Sequence, residues 1–440
     1  MSALDFWVAR QRDTASALPG ADIPWLARLR TDAIARFADE GWPTTRRENW
    51  RHTSLAFMEQ QALAVGEVGH PEHILAELRA RFDAASLAAA HWLVFIDGRF
   101  APALSSPGKL PAGVQAGSLA EALARSPEAV EAAYGQATDG ETPAALNTAL
   151  AADGAWIRLA RGSVVDAPIH LVFIAASAAD QHLRNLVIAE TGAQATIVEH
   201  YPAAAAGSTL TTAVTRVLAA QDSRLTHLKL QQEGEQAIHL AAIEAEQARG
   251  AVFASHALSF GARLARTDIR TRLTGEGAEV LLNGLYHADG RRHVDHHTRI
   301  DHATPRGTSR EYYRGLLDGS ARGVFAGRIL VAQDAQRTDA LQRCDNLLLS
   351  PLAEADARPE LEIYADDVKC AHGATVGQLD EDALFYLRAR GVDTEHARQL
   401  LTYAFAAEVL ERIAQPSLRA LGRAALFTRL PGAARLEELS

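Results

Sequence analysis

Lysine and cysteine are nearly missing from this 440-residue chain, which has three lysines, Lys109, Lys229 and Lys369, and two cysteines, Cys344 and Cys370. Two thiols cannot build a disulfide framework in a chain of this size, so the sequence fits a reducing compartment. Each thiol is then of individual interest. Basic charge rests almost wholly on arginine, which with the many alanines points to a coding bias and not to a function. The net charge of -10 argues against general nucleic-acid binding, because neutralising phosphates needs concentrated basic surface. Long apolar runs are also missing: HLVFIAASAA, His170 to Ala179, is about half of the ~20 residues that cross a bilayer. No membrane span is expected. The opening MSALDFWVARQRD has no apolar segment ahead of a cleavage site, so the protein is expected to stay in the cytoplasm.

Several catalytic signatures are missing as well. The only Gly-Lys pair, Gly108-Lys109, is followed by Leu110, so a phosphate-gripping P-loop fails and ATP is not hydrolysed by that route. There is no G-x-S-x-G elbow, no H-E-x-x-H helix and no C-x-x-C pair. Gly275-Glu276-Gly277 has Val280 where a dinucleotide fingerprint needs its third glycine. No active site is recognisable.

What is present is a chain with 48% hydrophobic residues, ample for two or three domains. The first ~90 residues read as helices. Leu26, Leu29, Ile34 and Phe37 recur near helical spacing until Gly41-Trp42-Pro43, and His73 to Ala90 is a second such stretch. Asp97-Gly98 between two apolar runs is a hairpin signal, and residues 107 to 150 form a connector with short helical patches. From Trp156 to about Ile363 the period changes to short β-branched runs. Examples are Ile169 to Ile174, Leu225 to Leu230, Val280 to Leu285 and Val324 to Val331. Turns at Thr191-Gly192-Ala193, Asp222-Ser223, Arg249-Gly250 and Gly275-Glu276-Gly277 recur at roughly 27 to 31 residues, and the next, Asp318-Gly319-Ser320, follows a His-rich insertion. Such a repeat with no intervening helices favours a stacked parallel β-helix, with an antiparallel sandwich as the alternative. The expected fold is mainly β: a helical domain with connector over 1–150, a β-helix core over 151–378 and a helical domain over 379–440. In the last, Asp380 starts the first helix and Gly391 ends it, Asp393 N-caps the second, and Leu384, Phe385 and Leu387 share a stripe. Leu400, Leu401, Ala404, Phe405, Ala407, Val409 and Ile413 give the next helix a wide apolar face, for packing within the domain or for a partner.

Two constellations could carry chemistry. The run YHADGRRHVDHHTRIDHATP contains His287, His293, His296, His297 and His302 among Asp289, Asp295 and Asp301, and imidazole with carboxylate suits zinc, iron or manganese. Strand alternation, however, points His296 and His302 one way and His293 and His297 the other. The second is Cys370-Ala371-His372. On an extended strand, residues two apart share a face, so thiolate and imidazole project together, and both ligate iron or zinc. The bland alternative is a buried cysteine beside a hydrogen-bonded histidine. Two ligands half fill a tetrahedral site, so a partner chain would have to complete it.

The string PELEIYADDVKCAHGATVG, Pro359 to Gly377, with FYLRARGV, Phe385 to Val392, closely resembles the SufD family and its sister subunit SufB. These are scaffold subunits of the bacterial SufBCD iron–sulfur cluster assembly complex. DHHTRIDHATPRGTSREYYRGLLDGSARGVFAGRILV, AQRTDALQRCDNLLLS and RRENWRHTSL, Arg46 to Leu55, extend the likeness over most of the chain. The resemblance implies a right-handed parallel β-helix flanked by helical domains. It implies that Cys370 and His372 match the family's Cys-x-His at the interface between the two scaffold subunits, where a nascent iron–sulfur cluster forms and none is permanently bound. It implies a SufB-like partner and a SufC-like ABC ATPase docked on the C-terminal helices, which would account for the missing P-loop. SufD is favoured over SufB because C-x-H-G-A-T-V-G is intact and cysteine is scarce; Cys344 has no assigned role. An isolated chain could pair its open β-helix edge with a second copy as a homodimer. Two other functions stand beside this one: a purely architectural subunit, and a stand-alone β-fold metalloenzyme using the His287 to His302 run.

Overall fold

The computed structural model describes residues 3–61, 63–65, 69–136, 140–204 and 206–430. From Ala155 to Gly377 the chain alternates between two sheets. The first sheet takes Ala155–Leu159, Asp180–Ala189, Leu210–Ala219, Ile238–Gln247, Leu264–Leu273, His293–His302, Arg322–Val331 and Glu354–Ile363 in succession. The second takes Ile169–Ile174, Gln194–Tyr201, Arg224–Gln231, Val252–Ser259, Glu279–Ala288, Thr308–Leu317, Asp339–Leu348 and Lys369–Gly377. Within each sheet these strands pair in parallel with the strand one coil earlier and one coil later. This is a parallel β-helix, and the sandwich alternative falls.

The period of two in side-chain direction builds its core. Ile157, Val187, Val217, Ile243, Ile269, Ile300 and Ile329 from one sheet meet Ile197, Leu225, Phe253, Val280 and Leu282 from the other in a closed lumen. One row of corners keeps the coils in step. Gly162, Gly192, Asp222, Gly250, Gly277, Arg306 and Arg337 all have positive φ, between 58° and 70°. The N–H of each donates to a carbonyl at the same corner of the next coil, as from Gly192 to Gln221 at 2.9 Å and from Gly277 to Pro305 at 3.1 Å. The expected insertion after Gly277 is therefore corrected: strand His293–His302 is an ordinary member of the stack, paired on both sides. Its corner escapes a search for glycine because Arg306 takes the left-handed conformation there.

The segments before and after the β-helix pack on it differently. Pro24–Glu40 is a helix that buries Leu26, Ile34 and Phe37 and stops at Gly41, φ 63°. The stretch from His73 to Ala90 is two helices, Pro71–Arg79 and Ala84–Ala89, divided where the Asp83 carboxylate accepts from the Ser86 N–H and caps the second. Strand His91–Ile96 reaches out of the N-terminal region to pair in parallel with Ile169–Ile174, and Asp97-Gly98 turns it into Arg99–Phe100. Within 107–150 lie strand Val114–Ser118 and helices Leu119–Arg125, Pro127–Tyr134 and Thr142–Leu150. The RRENWRHTSL segment is clamped to the first sheet. Arg266 stacks 3.6 Å over the Trp50 ring, and Asp295 accepts hydrogen bonds from Arg266 at 2.9 Å and from the Thr53 hydroxyl at 2.5 Å.

Helices Glu381–Ala389, Thr394–Leu410 and Pro416–Phe427 lie over the outer face of the second sheet. Val409, Leu410, Leu418 and Leu421 pack with Leu230, Leu258, Leu285 and Leu316, and Arg314 sits 4.5 Å from the Phe405 ring. Asp380 and Asp393 cap their helices, and Gly391 has φ 89°. The wide apolar face of the long helix is thus spent largely on the solenoid. The expected common stripe on the first helix does not hold, for Leu384 is 5% exposed and Phe385 71%. Adjacent residues on a helix diverge by about 100°.

Candidate functional site

Cys370 and His372 lie on Lys369–Gly377, the last strand of the second sheet. Cys370 is in register with Ala340, and His372 with Gln342. Ala340 and Gln342 are both buried and face the lumen, so Cys370 and His372 share the lumen-facing side of the terminal coil. Cys370 packs, half-buried, against the lumen cluster, while His372 is exposed. No strand of the described chain follows on that side. The two side chains are therefore adjacent at the open mouth of the solenoid. Burial pushes the Cys370 thiol above its ordinary value, offset in part by a backbone hydrogen bond at Ala340. At neutral pH the thiol is held as S–H until something compensates for the charge.

Among the described residues no three His, Cys, Asp or Glu side chains converge as a metal site. The histidine run is woven into the wall as its alternation predicts. His296 and His302 are inside, and burial lowers both to about 4. His302 faces the Ser309 hydroxyl at 2.9 Å, while outside His293 meets Thr53 at 2.7 Å and His297 meets Asp295 at 3.1 Å. These imidazoles are spread over two faces: His293, His297 and His302 have polar partners, whereas His296 lies between the Tyr286 and Tyr313 rings with no hydrogen-bond partner. Cys344 is in the lumen, in register with Ala374 and not with Cys370. Burial pushes its thiol up to about 12, the form least able to ligate.

A polar groove of about 460 Å³ lies on the outer face of the first sheet. Its arginines are neutralised in place: Arg270 pairs with Glu141, Arg328 with Glu362 and Arg358 with Glu48. Neither Cys370 nor His372 lines it. The exposed imidazole and half-buried thiol are at the mouth instead. Sequence reading missed what stands beneath it. Glu311, Gln342 and His372 are in register on three successive strands, a relation signalled only by their near-equal spacing along the repeat.

A parallel β-helix flanked by helices, with a Cys-x-His pair on its last coil, is the class of architecture that the chain presents. Comparison with known proteins gives the family. The SufBD core domain of the SUF iron–sulfur cluster assembly system matches residues 172–405, and the SufBD N-terminal region matches 11–171. The chain is 33% identical to the iron–sulfur cluster assembly protein SufD of Escherichia coli, covering 90% of this chain and 91% of that one. It is 33% identical to a SufBD family protein of Synechocystis over 86% and 85% of the two chains. It is 28% identical to the chloroplastic protein ABCI7 of Arabidopsis thaliana over 92% and 86%. This chain belongs to the SufBD family and is a SufD-like iron–sulfur cluster assembly protein. No helix among the described residues is long and apolar enough to cross a membrane.

Proposed function

We propose that the chain is a non-catalytic scaffold subunit that pairs through its terminal coil with a SufB-like subunit and docks a SufC-like ABC ATPase on its C-terminal helices. One observation carries this reading: the only half-buried thiol and its same-face imidazole sit where the stack of coils stops, at an exposed strand with a free edge. An open edge is a template for another chain's strand. Two ligands of a site that needs about four ask for the rest from that chain. With both subunits in place, the Cys370 thiolate and the His372 imidazole hold iron and sulfide as cargo while ATP binding by the partner reshapes the interface. Exclusion of solvent there protects an oxidisable thiol. Docking of the ATPase is supported by Phe385 and Tyr386, 71% and 57% exposed on the first C-terminal helix.

The test is co-expression with both partners and measurement of iron and acid-labile sulfide in the purified complex. Cys370→Ala and His372→Ala should each remove most of the cluster while leaving the subunits together. Wild-type content in both would make the chain purely architectural. The double change Phe385→Ser and Tyr386→Ser should release the ATPase alone, and undiminished co-purification would sink that part. Deleting the C-terminal helices is the poorer experiment, because it would uncover Leu258, Leu285 and Leu316 on the second sheet.

A further inference from the structure

Beneath the mouth the lumen is not uniformly apolar. One column of lumen-facing residues on the second sheet runs Leu282, Glu311, Gln342, His372, each in register with the next. The flanking columns are Val280, Ser309, Ala340, Cys370 and Gly284, Tyr313, Cys344, Ala374. Below Leu282 the same column holds the buried pair Ser255 and His227, and above it Glu311 and Gln342 lead to the exposed imidazole. The carboxyl and the amide are both fully buried. Gln342 donates from Nε2 to Glu311 Oε2 at 2.5 Å, which leaves Oε1 as a buried acceptor with no hydrogen-bond partner. Room for this amide is made across the lumen by Gly327, where a Cβ would collide with Gln342 Nε2. A wall that only needed filling would carry leucine at 311 and 342, as it does at 282. A fully buried carboxyl with hydrogen-bonding but no basic side chain among the causes of its shift is retained at a cost in stability.

The chemistry of a ligating histidine supplies a use. An imidazole binds metal through one bare ring nitrogen, and its other nitrogen carries a proton that is donated to a carbonyl or carboxylate, which fixes the ring and the tautomer. We propose that Gln342, its amide fixed by Glu311, is the positioning residue for His372: the free Gln342 Oε1 accepts the imidazole N–H and so decides which ring nitrogen is offered to the metal. The roles follow from donor and acceptor counts. An ionised carboxylate only accepts, so it draws the Gln342 NH₂ toward itself and turns the carbonyl the other way. A neutral partner at 311 could also donate, and would allow the amide to turn over and present its NH₂ to the ring. Burial raises the Glu311 carboxyl to about 7, opposed by the Thr298 hydroxyl and the Gln342 amide. Two titratable groups feel its charge, Tyr313 on its own strand and Cys344 on the next, both pushed up by burial and both neutral at pH 8. This inference rests on the ligand role given to His372 above.

The experiment is long-range ¹⁵N–¹H correlation NMR on the full chain labelled at histidine, at pH 8, with His372→Gln to assign the ring. Wild type should show one dominant neutral tautomer of His372. Gln342→Leu should abolish the bias, and Glu311→Gln should weaken it, with thermal melting used to confirm that both variants are folded. An unbiased ring in wild type, or a bias unchanged in Gln342→Leu, overturns the proposal. The readout needs no metal, so its failure is separable from failure of the ligand role, which is judged by cluster content in the complex.

Discussion

The two cysteines compare a closed coil with an open one. Cys344 and Cys370 lie on neighbouring strands and both face the lumen. Cys344 has a coil on either side, is fully buried, and takes a weak hydrogen bond from Asn346 at 3.5 Å. Cys370 has a coil on one side only and stays half-exposed. The same residue type in the same wall is thus sealed packing in one place and an accessible thiol in the other. What differs is whether the stack continues. Position along the solenoid axis, more than residue identity, separates a sealed thiol from an accessible one.

The sharpest way to break this comparison is thiol modification of the intact chain. Iodoacetamide at pH 8 should alkylate Cys370 at least ~100-fold faster than Cys344, because thiolate character and access both favour the open coil. Comparable rates, followed by peptide mass spectrometry, would mean that the closed coil is not closed. Glycine substitution comes next. A Cβ on Gly284 would overlap the Tyr313 ring, whereas one on Gly373 meets nothing within 4 Å. Gly284→Ala should therefore destabilise by about 3 kcal/mol, and Gly373→Ala by less than ~0.5 kcal/mol, as read from denaturant midpoints.

The third test uses pH. His256, His296 and His302 are buried and neutral, lowered to about 4 from 6.5. Unfolded chains take up these protons first, so the contribution is present above pH 6.5 and is lost as pH falls toward 4. Glu311 acts in the opposite sense. Raised to about 7 from 4.5, it contributes fully below pH 4.5 and loses that contribution as pH rises through 7. Glu311→Gln should therefore raise the melting temperature relative to wild type at pH 8 and not at pH 4.5. An equal change at both would show that Glu311 is not buried as a titrating acid. The expected gain is about 1–2 kcal/mol, the smallest of the informative effects.

Much of this architecture was legible from residues alone. Period-two runs such as Val280 to Leu285 and glycine corners such as Gly192 and Gly277 determine a stack, and the Cys-x-His spacing already required a shared face. Other features depend on information that no short window holds. Arg306 adopts a glycine's conformation because its backbone N–H is held by the Gln336 carbonyl at 2.9 Å, a partner in the following coil. The column of Glu311, Gln342 and His372 spans residues about thirty apart, and only the register aligns them. The destination of the C-terminal helices was open because an apolar face such as that of Val409 and Ile413 does not name its partner. The helix from Thr394 could have met another chain, and instead it meets Leu285 and Leu316 of its own.

The row of corner hydrogen bonds carries one more consequence. Each coil is held by its two neighbours, so the structure behaves as a one-dimensional lattice in which cooperativity passes only between adjacent layers. The final layer has half the usual coupling: its corner residue Asp367 accepts from Arg337, and no later coil repeats the link. A strand supplied from another molecule would restore the missing coupling there. Ordering of the last layer would then depend on how well that strand fits, so under the proposed ligand role a mismatched partner would leave Cys370 and His372 on an uncoupled layer even with every other ligand atom present.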